Sequence, residues 1–399
     1  MLWAELYWNL AISTMTTDMI STKSLSVVLA HDWLTGMRGG ERVLESLGRA
    51  FPTAPIYTLL CNPEAISAEI KKHPITTSWL QRLPRIRRWY RHALPLFPSA
   101  IERLRSPEAD VLVSISHCIA KGVIPRPGTR HLCYCLTPMR YAWLFYEEYF
   151  GTNPLKKAAL KPLLARLRDW DRQTCDRVDR FVALSRHVQQ RIREYYGRES
   201  DVVYPPVNTE FCTPAMPQAA RPAGVPESYD LVVSALVPYK RVDLAVRAYT
   251  RSGNALIVAG SGPEDRRLRA LAGPNIRFAG RPSDDEIREL YRHCRMLVFP
   301  GEEDFGIVPV EAQACGRPVV AYGRGGALET VADGVSGVFF KEQTEDALLD
   351  AVSRCATRIW NPAAIRSHAE QFSEPRFLRG MNESLEKCLA GDSSADRSR

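Results

Sequence analysis

Long apolar runs are missing from this sequence. None reaches the roughly 18–20 residues a helix needs to cross a bilayer, so a membrane-spanning helix is not expected. The opening residues carry Glu5 and no early Lys or Arg, which does not suit a secretory signal with a basic start. Residues 1–24 read instead as a poorly ordered extension, or as a misassigned start with Met15 and Met19 as alternatives. The ten cysteines include no C-x-x-C pair, and the closest two are Cys133 and Cys135. A structural zinc site is therefore not expected, and no metal is assigned. Cysteines within apolar runs behave as small hydrophobes, which fits a reducing cytoplasm. No G-x-G-x-x-G follows the first strand, where Gly36, Gly39 and Gly40 stand in a different spacing, so a nicotinamide dehydrogenase is excluded.

What is present is an ordinary globular composition, 45% hydrophobic and 25% charged over 399 residues, enough for two α/β domains. Charge is uneven. Residues 71–105 hold nine Lys and Arg against Glu102 alone, an excess equal to the +8 of the whole chain. Trp79, Trp89, Tyr90 and Phe97 interleave with these cations. The stretch reads as an amphipathic helical face, either solvated or laid on an anionic membrane surface. No nucleic-acid reading motif accompanies it, and nucleic acid is not an expected partner.

Short apolar runs at 25–30, 54–60, 110–116, 130–136 and 180–184 alternate with helical stretches, the pattern of a parallel sheet. The alternation breaks at Tyr204-Pro-Pro-Val207 and a Pro/Ala-rich stretch, then restarts at 229–234, 255–259, 275–278, 295–299 and 318–321. Helices are expected over 241–251, 284–292 and 307–315. The organisation is an extension at 1–24, a Rossmann-like unit at 25–206, a second at 207–372, and a helix and tail at 373–399.

One segment stands out, Gly301-Glu-Glu303-Asp-Phe-Gly306-Ile-Val-Pro-Val-Glu311. It leaves a strand, crosses a Gly-containing loop and enters a helix, whose first N–H groups suit an anion. Ligands of doubly wound sheets bind beyond the carboxyl ends of their strands. Glu303 and Glu311 flank that place and can accept hydrogen bonds from hydroxyl groups.

This segment resembles the E-x7-E donor site of the family 4 glycosyltransferases, which have the GT-B fold of two facing Rossmann-like domains. The resemblance extends through Val237-Pro-Tyr-Lys240, Gly260-Ser-Gly-Pro-Glu264, Phe278-Ala-Gly280-Arg281, the loop Gly36–Gly40 and the run from Ser114 through His117 to Gly122. Within the family, HDWLTGMRGGERVLE, TPMRYAW and VPYKRVDLAV are most similar to a mannosyltransferase subgroup of O-antigen and exopolysaccharide assembly. The resemblance implies a metal-independent, cofactor-free retaining hexosyltransferase. Its donor would be a nucleotide sugar, GDP-mannose first, and its acceptor a lipid-linked saccharide, with the protein cytoplasmic or peripheral on the inner membrane face.

The resemblance also implies roles. Glu303 would hold hexose hydroxyls and Glu311 the ribose, with Phe305, Gly306 and Ile307 offering backbone to the sugar phosphate. Lys240, with Arg241 beside it, would neutralise the leaving diphosphate. Gly39 and Gly40 would admit the donor phosphates, and Gly260 and Arg281 would line the donor side. His117 would sit near the reactive carbon, and Arg140 and Trp143 would face the acceptor. One position departs from the pattern: Ala235 stands where the family usually has an Arg, five residues before the lysine. One charge-assisted contact, worth about 1.5–3 kcal/mol, is lost there unless Arg241 or Arg38 compensates. That departure keeps a non-catalytic nucleotide-sugar-binding partner as an alternative, beside a GT-B-fold sugar-nucleotide epimerase.

Overall fold

The computed structural model describes residues 25–143, 154–215 and 225–391. The extension at 1–24 and the end of the tail, 392–399, lie outside them. The first sheet is wholly parallel: β1 (Val27–His31), β2 (Ile56–Thr58), β3 (Ile75–Thr77), β4 (Val111–Ser116), β5 (Arg130–Cys135), β6 (Arg180–Ala183) and β7 (Ser200–Val202), in the order β3-β2-β1-β4-β5-β6-β7. The second has β8 (Asp230–Val233), β9 (Leu256–Ala259), β10 (Ile276–Gly280), β11 (Leu297–Phe299), β12 (Val319–Tyr322) and β13 (Gly337–Phe340), in the order β10-β9-β8-β11-β12-β13, again parallel.

Central strands such as VVLAH and VLVSIS are buried along their whole length because helices cover both faces, so their sequences run apolar instead of alternating. The chain is thus two Rossmann-like α/β units, each doubly wound. Three strands have no counterpart among the sequence expectations. β3 and β7 are three-residue edge strands (ITT and SDV) with no fully buried residue, and β13 is the other edge, GVFF.

The basic stretch departs from the helical face expected of it. It breaks into β3, turns at Trp79–Arg82 and Tyr90–Leu96, and short helices at Ile86–Trp89 and Phe97–Glu102. Pro84 precedes one helix, Pro95 lies inside a turn, and Pro98 sits at the head of the last helix, which prevents one continuous helix. Amphipathicity survives the fragmentation. Leu80, Ile86, Leu94, Phe97 and Ile101 pack against the sheet, and all nine cations stay exposed.

The last helix, Glu374–Ala390, returns to the first unit. Phe377 meets Tyr134 edge-on at 5.6 Å, and Ser384 donates to Asp201 at 3.0 Å. A Cβ on Gly380 would lie 3.0 Å from Val203, so the helix is seated closely there. The chain therefore crosses between units twice, and the crossings touch where Val207 N–H donates to the Phe372 carbonyl at 2.9 Å.

Candidate active site

Contacts between the units come from loops at the carboxyl ends of strands in both sheets. Arg42, in the helix Gly39–Ala50 that follows β1, donates to Asp284 beyond β10 at 2.7 Å. Ser185, just past β6, donates to the carbonyl of Asp304 beyond β11 at 2.6 Å. Glu329, past β12, accepts the backbone N–H groups of Arg186 and His187 at 2.8 and 3.0 Å. The two sets of strand ends therefore face one crevice. In such sheets ligands bind where the strand order reverses. Here that is between β1 and β4 in one unit and between β8 and β11 in the other.

Each reversal point carries an acid paired with a base. In the second unit Lys240 Nζ makes an ion pair with Glu303 Oε2, with both side chains mostly buried. The loops bearing them touch at backbone level: a Cβ on Gly301 would come within 2.8 Å of the Lys240 backbone, so only glycine fits. Gly306, at φ +96°, turns the chain into the helix Ile307–Ala314. The first N–H groups of that helix have no intrahelical acceptors. Phe305 is buried between Tyr204 and Phe372, so it offers backbone and not its ring to the crevice. Glu311 lies further along the helix, half-buried, with its Oε2 accepting the Tyr291 hydroxyl at 2.8 Å. Burial pushes its carboxyl above the ordinary value, opposed by Tyr291 and Arg42.

In the first unit the pair is Asp32 and His117. Asp32 is fully buried at the end of β1, and its Oδ2 meets His117 Nδ1 at 2.6 Å. It also accepts the backbone N–H of His117 at 2.7 Å, and of Ile119 and Ala120 at 2.6 Å each. A carboxylate accepts at Nδ1, so that nitrogen carries the proton and Nε2 is left to face elsewhere. Trp33 packs edge-on to the His117 ring at 4.7 Å. Burial pushes the Asp32 carboxyl up, but the neighbouring His117 and its hydrogen bonds outweigh this and hold it well below the usual carboxylate range.

The glycines of the first loop have packing reasons. A Cβ on Gly39 would lie 3.0 Å from Ile307 Cδ1, across the crevice, and one on Gly40 would lie 2.8 Å from Leu136 and 3.1 Å from His31 Nε2. His31 is itself buried. Its Nδ1 donates to the Trp33 carbonyl at 3.0 Å, Nε2 has no hydrogen-bond partner, and burial lowers its pKa.

The remaining predicted residues are placed as follows. Gly260, at φ +141°, lies against Ser234, whose carbonyl a Cβ would strike at 1.8 Å. Arg281 is exposed just past edge strand β10. Arg241 turns to its own unit, donating to Gln343 at 2.8 Å and Asp243 at 3.3 Å, while Ala235 is exposed. Arg38 is exposed at the head of the helix Gly39–Ala50. Trp143 donates to Asp171 at 2.8 Å and stacks on Tyr195 at 4.9 Å. Arg140 reaches across the crevice to Asp304, which also receives Arg191. Asp32, Tyr291, Asp304 and Arg191 are the residues that the sequence reading does not single out. Among the described residues no His/Cys/Asp/Glu cluster could hold a metal ion, and all ten cysteines are free and buried.

Two Rossmann-like units whose strand ends face one crevice are the GT-B architecture. The family comparison agrees: the chain matches Glycosyltransferase Family 4 over residues 37–211 and Glycosyl transferases group 1 over residues 223–358, and it belongs to these group 1/family 4 glycosyltransferases. It is 31% identical to the D-inositol 3-phosphate glycosyltransferase of Mycolicibacterium smegmatis over 225 residues, 51% of each chain. The chain thus spans about half the length of the curated relatives it matches. Similar solved structures include Anabaena HepE in complex with UDP (16% identical, TM-score 0.66, covering 91% of this chain and 100% of that one). A lipopolysaccharide outer core galactosyltransferase is also similar (14% identical, TM-score 0.63, covering 91% and 99%). At these identities the structures speak for the fold.

Proposed function

We propose that this chain is a retaining hexosyltransferase that moves mannose from GDP-mannose to a lipid-linked saccharide of polysaccharide assembly. The observation that carries the reading is the Lys240–Glu303 pair at one reversal point, facing a crevice whose other wall holds Asp32–His117 at its own. Glycosyl transfer needs a stabilised leaving diphosphate and tolerance of positive charge on the sugar ring. Lys240 and the helix N-termini at Gly39 and Ile307 supply the first without a divalent ion. Glu303 supplies the second and accepts hexose hydroxyls, while Glu311, aligned by Tyr291, accepts from the ribose. His117, oriented by Asp32, faces the reactive carbon. Retention then follows front-face attack, with the leaving phosphate taking the acceptor proton.

HepE's complex with UDP supports a nucleotide-sugar donor in this fold. The choice of guanosine and mannose rests on the likeness of VPYKRVDLAV and HDWLTGMRGGERVLE to the mannosyltransferase subgroup. GDP is expected to raise the melting temperature more than UDP or ADP does. At a hundredfold excess over Kd, linkage gives about 2.7 kcal/mol. A larger shift with UDP would overturn the donor assignment and leave the enzyme class standing. Release of GDP from GDP-mannose in the presence of a purified lipid-linked saccharide acceptor separates an enzyme from a non-catalytic binder.

Residues 71–105 support a second part of the reading, attachment to anionic membranes near the acceptor. Their nine cations are all exposed, and Trp89 and Leu96 stand out among them at 37% and 41% exposure. Each cation near an anionic surface contributes about 1 kcal/mol, weakened by salt. The protein is expected to sediment with anionic vesicles at low salt and to be released at high salt. Replacing Arg85, Arg87, Arg88 and Arg91 by Gln should abolish sedimentation without altering GDP binding. No sedimentation of the unaltered protein at low salt would make the stretch a solvated face.

A further inference from the structure

We infer that Asp304, with Arg140 and Arg191, forms a clamp through which the first unit positions Glu303; the inference rests on Glu303 being a donor ligand. Asp304 follows Glu303 directly and is buried, although it lies in the loop between β11 and the helix Ile307–Ala314. Its two carboxylate oxygens each accept from a different element of the first unit: Oδ2 from Arg140, past β5, and Oδ1 from Arg191, in the helix Arg186–Tyr196 past β6. Ser185 Oγ donates to the Asp304 backbone carbonyl at 2.6 Å, so main chain and side chain are gripped from the same side.

The second unit holds the same peptide from behind. Gly326 N–H donates to the Glu303 carbonyl at 2.8 Å, and Gly325 is so close that a Cβ there would stand 2.5 Å from that oxygen. Glu303 therefore sits on a short loop pinned at its carbonyl by one unit and, one residue later, by three groups of the other. The loop cannot shift independently of the first unit while those contacts last. Arg140 and Arg191 outweigh burial and keep Asp304 ionised, so the clamp is charged across the neutral pH range. This gives Arg140 a duty different from acceptor contact: it fixes the distance between the carboxylate that meets the donor and the wall that carries His117. Asp304, Arg140 and Arg191 are positioning residues in this scheme, acting through Glu303.

The test uses the full chain with Arg140→Gln and Arg191→Gln, each of which leaves Asp304 one cation and so spares folding better than Asp304→Asn. Hydrogen exchange of residues 301–306 reads the clamp without any turnover, and it should accelerate in both variants. GDP release from GDP-mannose should fall about ten- to a hundredfold, the scale of a small misplacement of a reacting group, with GDP affinity within about threefold of wild type. Because the clamp acts through Glu303, adding Arg140→Gln to Glu303→Gln should cost little further rate, a non-additivity that a merely structural ion pair would not show. Unchanged exchange at 301–306, or fully additive rate losses, would overturn the proposal. Accelerated exchange beside a normally active Glu303→Gln enzyme would uphold the clamp and strike instead at the donor role of Glu303.

Discussion

Replacing Glu303 by Gln is expected to abolish most turnover while leaving nucleotide affinity nearly intact. Glu303 stands at the strand–loop junction against Lys240, eight positions before Glu311, so in the proposed reading it meets the hexose and not the nucleoside. A carboxylate there accepts hydroxyl hydrogen bonds in the ground state. It also opposes positive charge on the ring, which develops only in the transition state, so its removal should appear in kcat. Losing one preorganised electrostatic contact costs about 10²–10³ in rate, or about 2.7–4 kcal/mol. Gln retains the shape and one acceptor oxygen, so GDP, which lacks the hexose, should bind almost as before. The variant also frees Lys240 of its ion-pair partner and leaves its charge to the diphosphate. Initial rates of GDP release from GDP-mannose, paired with GDP calorimetry, check both halves. A near-normal rate would remove Glu303 from the active site, and lost GDP binding would make it a residue that shapes the nucleotide pocket.

What can be read from the sequence here is what is local. Glu303, Gly306 and Glu311 lie within one strand–loop–helix passage, so their order along the chain already implies their arrangement in space. The central strands are legible for the same reason: burial on both faces writes itself as a continuous apolar run. The groups that hold the site in shape are not local. Asp32 meets the 117–120 loop from 85 residues away, Arg191 reaches Asp304 over 113, and Arg140 over 164. Nothing in HDWLTG distinguishes an acid that receives three backbone N–H groups from one left in solvent. The available signal was its place, since it directly follows the first strand of a doubly wound sheet, beside the reversal point. The same limit applies to Glu374–Ala390. Its pattern demands an apolar partner but does not say that the partner is the first unit. Residues 71–105 mislead in another way. Charge and aromatic spacing suggest a helix, but Pro84, Pro95 and Pro98 divide it, and the edge strand β3 is paired to β2 by backbone contacts that no side-chain pattern announces.

The largest expected loss of stability comes from Asp32→Ala. The backbone N–H groups of His117, Ile119 and Ala120 would all lose their acceptor inside the first unit, and His117 would lose the group that fixes its ring. Removing one partner of a buried, hydrogen-bonded charged pair typically costs about 3–5 kcal/mol, because the groups left behind stay desolvated. For a unit of this size each kcal/mol shifts Tm by about 2–4 °C, so a fall of about 6–20 °C is expected. Asn should fall between, since its oxygen can still accept while its NH2 faces a donor. The pH dependence has a defined sign. The folded-state pKa of Asp32 is depressed, so its contribution is fully present above the unfolded carboxylate value, about 3.9, and is lost only as pH falls below that towards the folded value. The gap in Tm between wild type and Asp32→Ala should therefore stay constant from pH 7 down to about pH 5 and close only in stronger acid. Thermal melts at several pH values measure it. A gap that closes between pH 7 and 5 would mean that Asp32 titrates like an ordinary or raised carboxyl. A variant that melts within about 2 °C of wild type at pH 7 would mean that water reaches the 117–120 loop and that Asp32 does not orient His117.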